Sequence, residues 1–468
     1  MEAEPQAKST GLVRALGLKD ASLLVIGAVI GSGIFLTPSV IARHTQNIEG
    51  LLLVWVLGGI LSFCGALSFA ELGSMFPRAG GVYAFLDEAY GSLPAFLYGW
   101  CTFFVMIPGS IATLGTAFAI YLTYLVPVEM WAAKAVALLI IIALTIVNCL
   151  GVRAGALVQN LVTVIKISSL VAIAIVLFLV SRMNPFEIIA QPSPQPIVWS
   201  NIGIAMIAVL WSYEGWHLLT YTAGEVKNPR RNLTGGLLLG TFVIIVLYLT
   251  VNLAYLSMLP LPELTASSQV ASDAMERAIG PFGGTLVALA ILISIGGAMN
   301  SNILTGPRVF YAMAEDRLFF KTVGYIHPSF HVPTVAIVIT GLVAAILTMV
   351  GSFERLFSYV IFVAWIFYAL CAAAVIHLRW KRPDAERPYK VWGYPFVPLL
   401  FVVAASAIVI NTVVNDFWNS FWGLLVVALG LPAYFYWSTK RSRVTPGFDG
   451  IPHLESDVER TAEPQCRE

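Results

Sequence analysis

The sequence predicts an all-α integral membrane protein with about twelve transmembrane helices, arranged as a five-plus-five inverted repeat with discontinuous helices 1 and 6. Three observations predict this class. The 468 residues are 58% hydrophobic and only 11% charged, whereas soluble domains carry about 25% charged residues. Apolar stretches near the roughly 20 residues that cross a bilayer recur along the whole sequence. Two of them, the first and the sixth, are interrupted near their middle.

The apolar segments cover almost the entire sequence. They span residues 21–42, 51–76, 92–125, 135–152, 157–181, 200–223, 236–260, 283–312, 334–351, 356–379, 396–414 and 421–438. We divide the transmembrane domain, residues 21–438, into repeat one (21–181), repeat two (200–379) and two further helices (396–438). The polar stretches 1–20 and 439–468 are predicted to be cytoplasmic tails, the second of them disordered.

The distribution of basic residues predicts the orientation. If both termini are cytoplasmic, most of the 27 Lys and Arg residues fall on the cytoplasmic side, as the positive-inside rule requires. The opposite side receives only Arg43, Lys134, Arg182, Arg277 and Arg355. No cleavable signal peptide is expected at the N-terminus. We therefore expect a multi-pass protein of the plasma (inner) membrane.

The first interrupted segment contains the stretch VIGAVIGSGIFLTP, Val25–Pro38. Glycine costs roughly 1 kcal/mol in a helix interior and proline about 3 kcal/mol. A glycine turn at Gly31 and Gly33 that opens a half-helix exposes N–H groups and the positive end of its dipole, which suits a carboxylate. The alternative is close helix packing through Gly27 and Gly31. The matching break in the sixth segment favours a binding site and indicates a secondary transporter.

The sixth segment is interrupted by WSYEGWH, residues 211–217. A carboxylate such as Glu214 costs about 2.5–3.5 kcal/mol at the centre of a membrane helix. Glu214 is therefore expected to face a cavity or a partner, and a structural pairing with His217 or Lys166 is the alternative. Trp211, on the outer side of the break, is the aromatic best placed to cover a ligand.

Lys166 is the only Lys or Arg that we place in mid-segment, because Arg308 and Arg379 lie near the cytoplasmic ends of their spans. It lies about ten residues from the inner end of the fifth segment, so its ammonium could snorkel to the interface. A fixed positive charge at this depth could instead take the place of a coupling cation, and we favour that role.

The remaining polar residues indicate neither catalysis nor metal binding. The six histidines lack metal-ligand spacing, and we find neither a P-loop nor a nucleophile–base grouping. A channel would more often show a repeated filter or charged rings. We therefore expect no enzyme, no catalytic or metal-binding residue, no cofactor and no nucleic-acid partner.

Four stretches together resemble a known family. GAVIGSGIFLTP (27–38), the block ALSFAELGSMFPRAGGVYAFLDEAYGSLPAFLYGW (66–100), YEGW (213–216) and GEVKNPRRNL (224–233) are similar to the amino acid–polyamine–organocation superfamily. Within it, the L-amino-acid transporter branch is the most similar. The resemblance extends over about residues 18–440.

The resemblance implies a secondary active amino-acid transporter that works by alternating access and exchanges neutral L-amino acids without sodium. The main chain around Val29–Gly33 would hold the α-carboxylate, and carbonyls near Trp211 and Glu214 the α-ammonium. Lys166 matches a lysine that stands in for a sodium ion of related carriers. The expected substrate-binding residues are Val29, Ile30, Gly31, Ser32, Gly33, Trp211, Tyr213, Glu214 and Gly215, with Lys166 in a coupling role.

Two departures from the family pattern matter. Many carriers of large neutral amino acids have glycine at the position of Glu214, so a cationic amino-acid or polyamine carrier that uses Glu214 as counter-charge is the alternative. The loop YLVPVEMWAAKAV between the third and fourth segments lacks the cysteine that links animal members to a heavy chain. No disulfide-linked heavy chain is therefore expected. Glu71, in a shared loop motif, is expected to be structural or gating.

Overall fold

The computed structural model describes residues 12–181, 183, 187–188, 196–415 and 417–444. Helices form almost all of this part of the protein. They are α1 (Leu18–Val29), α2 (Gly33–Thr45), α3 (Ile48–Met75), α4 (Val82–Tyr90), α5 (Ser92–Cys101), α6 (Ile107–Leu125), α7 (Met130–Cys149), α8 (Val152–Val180), α9 (Trp199–Ser212), α10 (Leu218–Tyr221), α11 (Pro229–Met258), α12 (Leu261–Ala266), α13 (Val270–Ile279), α14 (Pro281–Thr305), α15 (Pro307–Glu315), α16 (Thr334–Val350), α17 (Phe353–Lys381), α18 (Phe396–Asn415) and α19 (Phe417–Val444).

The predicted membrane spans are present. Nine helices within the described residues are long and apolar enough to cross a bilayer, and α1 with α2 forms a tenth span that is bent by 41° at its break. The two remaining predicted segments correspond to shorter apolar helices, α9 and α16. The predicted fold class, an all-helical protein of about twelve membrane helices with breaks in the first and sixth, is confirmed.

Some boundaries differ from the prediction. The last helix continues to Val444, so the tail predicted over 439–468 is helical over residues 439–444. Residues 445–468 and 1–11 of the predicted tails lie outside the described residues. The third segment contains a π-helical turn, Thr102–Met106. The eighth is divided between α14 and α15, because Pro307 cannot donate a backbone hydrogen bond to the preceding turn.

Local sequence signals explain where helices begin. Proline occupies the first helical position at Pro229, Pro281 and Pro307, where its missing N–H is not needed. The side-chain oxygen of Asn47 caps α3 by accepting a hydrogen bond from Gly50 N at 2.6 Å. These signals fix the first residues of the helices that surround the two broken segments.

The broken segments lie at the centre of the molecule. Helix α1 contacts α8, α11 and α14, and α2 packs along α9. The flanking helix α7 and the late helices α18 and α19 are mostly exposed on their apolar windows, as expected for lipid-facing surfaces. The polar interruptions are therefore enclosed by protein, which is the setting in which non-helical backbone is tolerated inside a membrane.

Candidate functional site

The first break presents unpaired backbone N–H groups. Helix α1 ends at Val29 and α2 begins at Gly33. The first hydrogen bonds of α2 run from Phe35 N and Leu36 N to the Ser32 carbonyl, at 3.2 and 3.1 Å. The N–H groups of Ser32, Gly33 and Ile34 therefore lie ahead of the helical ladder, whereas Gly31 N donates to Val29 O at 2.7 Å. Together with the dipole of α2, they form a site suited to an anionic group.

The carbonyls of this break are held by side chains from other helices. Lys166 Nζ donates to Gly27 O at 2.7 Å and to Ile30 O at 2.6 Å. Tyr248 OH donates to Val29 O at 2.9 Å. Lys166 is 1% exposed, so it does not snorkel to the interface. Its ammonium lies on main-chain oxygens, the ligands that bind Na⁺ in unwound transporter helices.

The glycines of the first segment have different roles. A Cβ at Gly27 would overlap the Thr163 hydroxyl on α8, so Gly27 permits close helix packing. A Cβ at Gly31 would lie 3.2 Å from the Leu114 side chain, and Gly31 borders the cavity between the two breaks. Close packing therefore applies at Gly27, whereas the binding role of Gly31 stays a prediction.

The second break lies against the first. Residues 213–217 form a turn between α9 and α10. Gly215 has a φ of +116°, and a Cβ there would lie 3.1 Å from the carbonyl carbon and oxygen of Ala28. Reciprocally, a Cβ at Gly33 would lie 2.5 Å from Ser212 Cα. Each break thus places a glycine on the backbone of the other broken segment.

The two breaks enclose a cavity of about 30 Å³, which corresponds to roughly two ordered waters. Polar groups from Ser32, Ser110, Glu214 and Asn302 border it. The apolar part of its wall comes from several helices. These residues are Met106, Ile107, Leu114, Leu218 and Val360.

Seven of the nine expected substrate-binding residues line this cavity, namely Val29, Gly31, Ser32, Gly33, Trp211, Glu214 and Gly215. Ile30 and Tyr213 do not line it. The Ile30 carbonyl is turned to Lys166 and to Ser294 Oγ, at 3.2 Å from the latter. Tyr213 packs edge-on against Trp55 at 5.8 Å and donates its hydroxyl to Trp55 O at 3.3 Å. Both residues shape the break from outside the cavity.

The Ser32 hydroxyl has an unusual environment. It is 1% exposed and has no hydrogen-bond partner among the described residues. A buried hydroxyl without a partner costs about 1–3 kcal/mol. Because Ser32 borders the cavity, a bound polar ligand or water would supply the missing bond.

Glu214 belongs to a buried hydrogen-bonded group at the cavity. Tyr368 OH donates to Glu214 Oε1 at 2.7 Å and lies 2.9 Å from His217 Nε2. His217 Nδ1 is 3.5 Å from the same carboxylate oxygen. The pairing with His217 that the sequence analysis gave as the alternative is therefore present, whereas Lys166 is engaged with the first break. The Glu214 side chain remains 11% exposed and borders the cavity.

Trp211 closes one wall of the cavity. Its ring stacks on Phe357 with centroids 5.9 Å apart and an interplanar angle of 26°, and it contacts Phe353 edge-on at 6.5 Å. Trp211 is buried. The stack joins the end of α9 to α17, so motion of α17 would uncover this side of the cavity.

Ion pairs close the end of the molecule where α1 begins. Glu225 and Arg308 are both 0% exposed, with Nε–Oε2 and Nη2–Oε1 distances of 2.9 and 3.0 Å. The Glu225 carbonyl accepts hydrogen bonds from Ala15 N and Leu16 N at 2.8 and 3.0 Å, and Lys227 N donates to Leu16 O at 2.8 Å. The N-terminal segment is thus paired with the residues that follow the second break.

Glu71 forms a second pair at this end. Arg379 Nε and Nη2 donate to its two carboxylate oxygens at 3.0 and 2.7 Å. Val391 N donates to Glu71 Oε2 at 2.7 Å. These bonds join α3, α17 and the loop that follows α17, which is the geometry of a structural or gating contact.

Several residues at the site escaped prediction from the sequence. Tyr248, Ser294 and Tyr368 each contact a break. Each lies in an apolar segment that contains other polar residues, so the sequence offered no signal that singled it out. The polar run in α14 divides between two roles: Asn300 bonds to Asn148 and Gln159 at 2.8 and 3.2 Å, whereas Asn302 lines the cavity.

The fold and the site define a class of protein: a multi-pass membrane transporter with two discontinuous helices around a central polar cavity. The sequence model of the Amino acid permease family matches residues 16–431. The chain belongs to this family, as its resemblance to the amino acid–polyamine–organocation superfamily implied.

Named relatives agree with this assignment. The protein is 32% identical to the serine/threonine exchanger SteT of Bacillus subtilis, over 92% of its own length and 98% of that exchanger. It is 32% identical to the human b(0,+)-type amino acid transporter 1, over 92% of its own length and 89% of the transporter. Identity to the human cystine/glutamate transporter is 27%, over 92% and 86%. The family and these relatives are transporters, and amino-acid transport across a membrane is the function they support.

Proposed function

We propose that this protein is a sodium-independent exchanger of neutral L-amino acids that works by alternating access. The observation that carries the proposal is the meeting of two helix breaks at one cavity, with helix N-terminal N–H groups on one side and a carboxylate on the other. An α-amino acid has the complementary charges, a carboxylate and an ammonium, on two groups bonded to the same carbon atom.

We propose a substrate orientation from the same geometry. The α-carboxylate lies at the start of α2, where the main chain around Val29–Gly33 and the Ser32 hydroxyl donate hydrogen bonds. The α-ammonium lies toward the carbonyls near Trp211 and Glu214, at the end of α9. Trp211 covers the bound amino acid. Ile30 and Tyr213 support the two breaks from behind the cavity wall.

Sodium independence follows from Lys166. Its ammonium donates to two carbonyls of the first break, and such carbonyls coordinate Na⁺ in other transporters. A side-chain ammonium at these carbonyls takes the place that a bound cation would otherwise occupy. Lys166 then couples the first break to α8 during each cycle.

Small neutral amino acids are the best-supported substrates. The cavity has hydroxyl and amide groups in its wall, from Ser32, Ser110 and Asn302. These groups suit a short polar side chain such as that of serine or threonine. The relative from Bacillus subtilis is named for the exchange of these two amino acids.

We further propose that the protein works in the plasma (inner) membrane without a heavy chain, and that both termini are cytoplasmic. The charge asymmetry supports the orientation. The loop between α6 and α7, residues 126–129, contains no cysteine for a disulfide to a second subunit. Cysteine accessibility labelling of single-cysteine variants in intact cells would test the orientation.

Counterflow in proteoliposomes tests the function. Vesicles are preloaded with an unlabelled amino acid, and a panel of labelled amino acids is offered at two pH values, with and without sodium. Neutral amino acids should enter preloaded vesicles and not empty ones, at equal rates in sodium and choline buffers. Absence of uptake of every amino acid under all conditions would refute the transporter, and uptake that requires sodium would refute the role of Lys166.

A cationic amino-acid or polyamine carrier is the second candidate, because the Glu214 carboxylate borders the cavity. Its counter-charge would bind the side chain of arginine or lysine. Glu214→Gly and Glu214→Gln separate the candidates. Loss of arginine and lysine uptake with neutral uptake retained in both variants favours the cationic carrier. Equal effects on all substrates favour a role for Glu214 at the α-ammonium.

A further inference from the structure

A pocket of about 300 Å³ lies at the end of the molecule where α1 begins, outside the central cavity. Its wall comes from four parts of the protein: the segment that precedes α1, α1 itself, the beginning of α8 and the loop before α11. The lining includes Leu16, Asp20, Arg153, Asn160 and Lys227. This volume is within the range of small-molecule sites.

The pocket carries positive charge that the protein does not neutralise. Arg153 and Lys227 are both exposed, and neither has an ion pair among the described residues. Asp20 is the one acid in the wall, and both of its oxygens are engaged. Asp20 Oδ2 accepts from Gly17 N at 2.9 Å and Oδ1 from Asn160 Nδ2 at 2.7 Å. These neutral donors leave the Asp20 carboxylate charged, so two basic residues and one acid give the wall a net charge of +1.

An apolar stripe leads away from the pocket along α8. Leu157, itself part of the pocket wall, is 70% exposed, Leu161 is 63% exposed and Val164 is 50% exposed. Their spacing of four and three residues puts them on one face of the helix. A ligand that fills the pocket and follows this stripe needs an anionic end and an apolar body.

We propose that this pocket binds the phosphate headgroup of an anionic phospholipid, with an acyl tail along the exposed stripe of α8. Basic pockets between membrane helices at the interface bind such headgroups. The apolar stripe favours a lipid over inorganic phosphate, since phosphate has no group to place there.

The pocket adjoins the end of the transporter that the Glu225–Arg308 pair closes. Leu16 pairs with Val226 as a parallel bridge, and this pairing brings the N-terminal segment next to Lys227. Arg153 is supplied by α8, the helix that also carries Lys166. A headgroup between Arg153 and Lys227 holds these parts together and stabilises the arrangement in which Glu225 and Arg308 are paired.

Native mass spectrometry of the full-length protein in detergent tests the proposal. Phosphatidylglycerol is titrated against phosphatidylcholine with the same acyl tails. Each basic residue contributes about 1 kcal/mol to binding of an anionic surface, so two should give a preference of about 30-fold for phosphatidylglycerol. The double variant Arg153→Gln/Lys227→Gln should lose this preference. The matched control Arg231→Gln/Lys321→Gln removes two exposed basic residues outside the pocket and should keep it.

Three results would overturn the site. The first is equal retention of phosphatidylglycerol by the wild type and the pocket variant. The second is the same loss in the control variant, which would mean a general charge effect. The third is displacement of the lipid by glycerol phosphate at equal concentration, which would make the acyl tail irrelevant. If the double variant does not fold, the wild type is measured at increasing salt concentration instead. Screening should weaken the retention of phosphatidylglycerol and leave that of phosphatidylcholine unchanged. The measurement needs no transport, so it stands independently of the proposed substrate.

Discussion

Replacing Lys166 by alanine removes the ammonium that holds the first break. In the wild type, Nζ donates to Gly27 O and Ile30 O at 2.7 and 2.6 Å. Ile30 O keeps the Ser294 hydroxyl at 3.2 Å, whereas Gly27 O loses its side-chain donor. The variant therefore leaves one buried carbonyl unsatisfied and detaches the break from α8.

The size of the effect follows from that carbonyl. A buried acceptor without a partner costs about 1–3 kcal/mol. This free energy changes the equilibrium between conformations with and without the bond by about 5- to 150-fold. On the proposed mechanism, the transport cycle passes through the conformation in which Lys166 holds the break. We therefore expect the exchange rate of Lys166→Ala to be about 5- to 150-fold lower than that of the wild type.

Exchange in proteoliposomes, measured with and without sodium, is the assay. Lys166→Ala leaves space beside two carbonyls that a sodium ion could occupy, so sodium should restore part of its rate. Lys166→Met fills the same space without charge, so it should be equally slow and insensitive to sodium. Unfolding temperatures in detergent check that both variants remain folded.

Two outcomes would refute this reasoning. A wild-type exchange rate for Lys166→Ala in sodium-free buffer would mean that the hydrogen bonds of Lys166 do not matter for the cycle. Restoration of both variants by sodium to the same extent would mean that the ion acts elsewhere, since methionine leaves it no room at the break.

Three further predictions concern the breaks and the closed end. Glu225→Gln leaves Arg308 buried without its counter-charge and should lower stability by about 3–5 kcal/mol, measured as a fall in unfolding temperature that Glu225→Gln/Arg308→Met partly reverses. Gly215→Ala puts a Cβ at a residue with positive φ and against the Ala28 backbone, so this variant should lose exchange activity. A normal exchange rate would show that the two breaks can separate. Trp211→Ala should weaken substrate retention more than Trp211→Phe, read from the concentration for half-maximal counterflow, and identical values would contradict a covering role.

The sequence predicts the breaks well because their residues are unsuited to a helix. The Gly31–Gly33 stretch marks the first break, and the structure ends α1 at Val29 and begins α2 at Gly33. Glu214 marks the second break, since a carboxylate in an apolar segment needs a polar surrounding. These signals depend on local chemistry, which a single sequence contains.

The partners of the breaks could not be predicted in the same way. Tyr248 and Tyr368 reach the site from α11 and α17, and only the packing of those helices brings the hydroxyls to Val29 O and Glu214. Tyr213 shows the opposite case. It is adjacent to Glu214 in sequence, yet the turn directs its ring to Trp55 and away from the cavity.

The reciprocal glycine contacts have a mechanical consequence. Gly33 lies against Ser212 and Gly215 lies against Ala28, so neither broken helix can move closer to the other without a backbone clash. Thr37 and Ser212 add a hydroxyl contact of 2.6 Å between α2 and α9. We therefore expect the two broken helices to move together as one rigid unit. Their displacement as a pair, rather than the opening of a gap between them, is the motion that this packing permits.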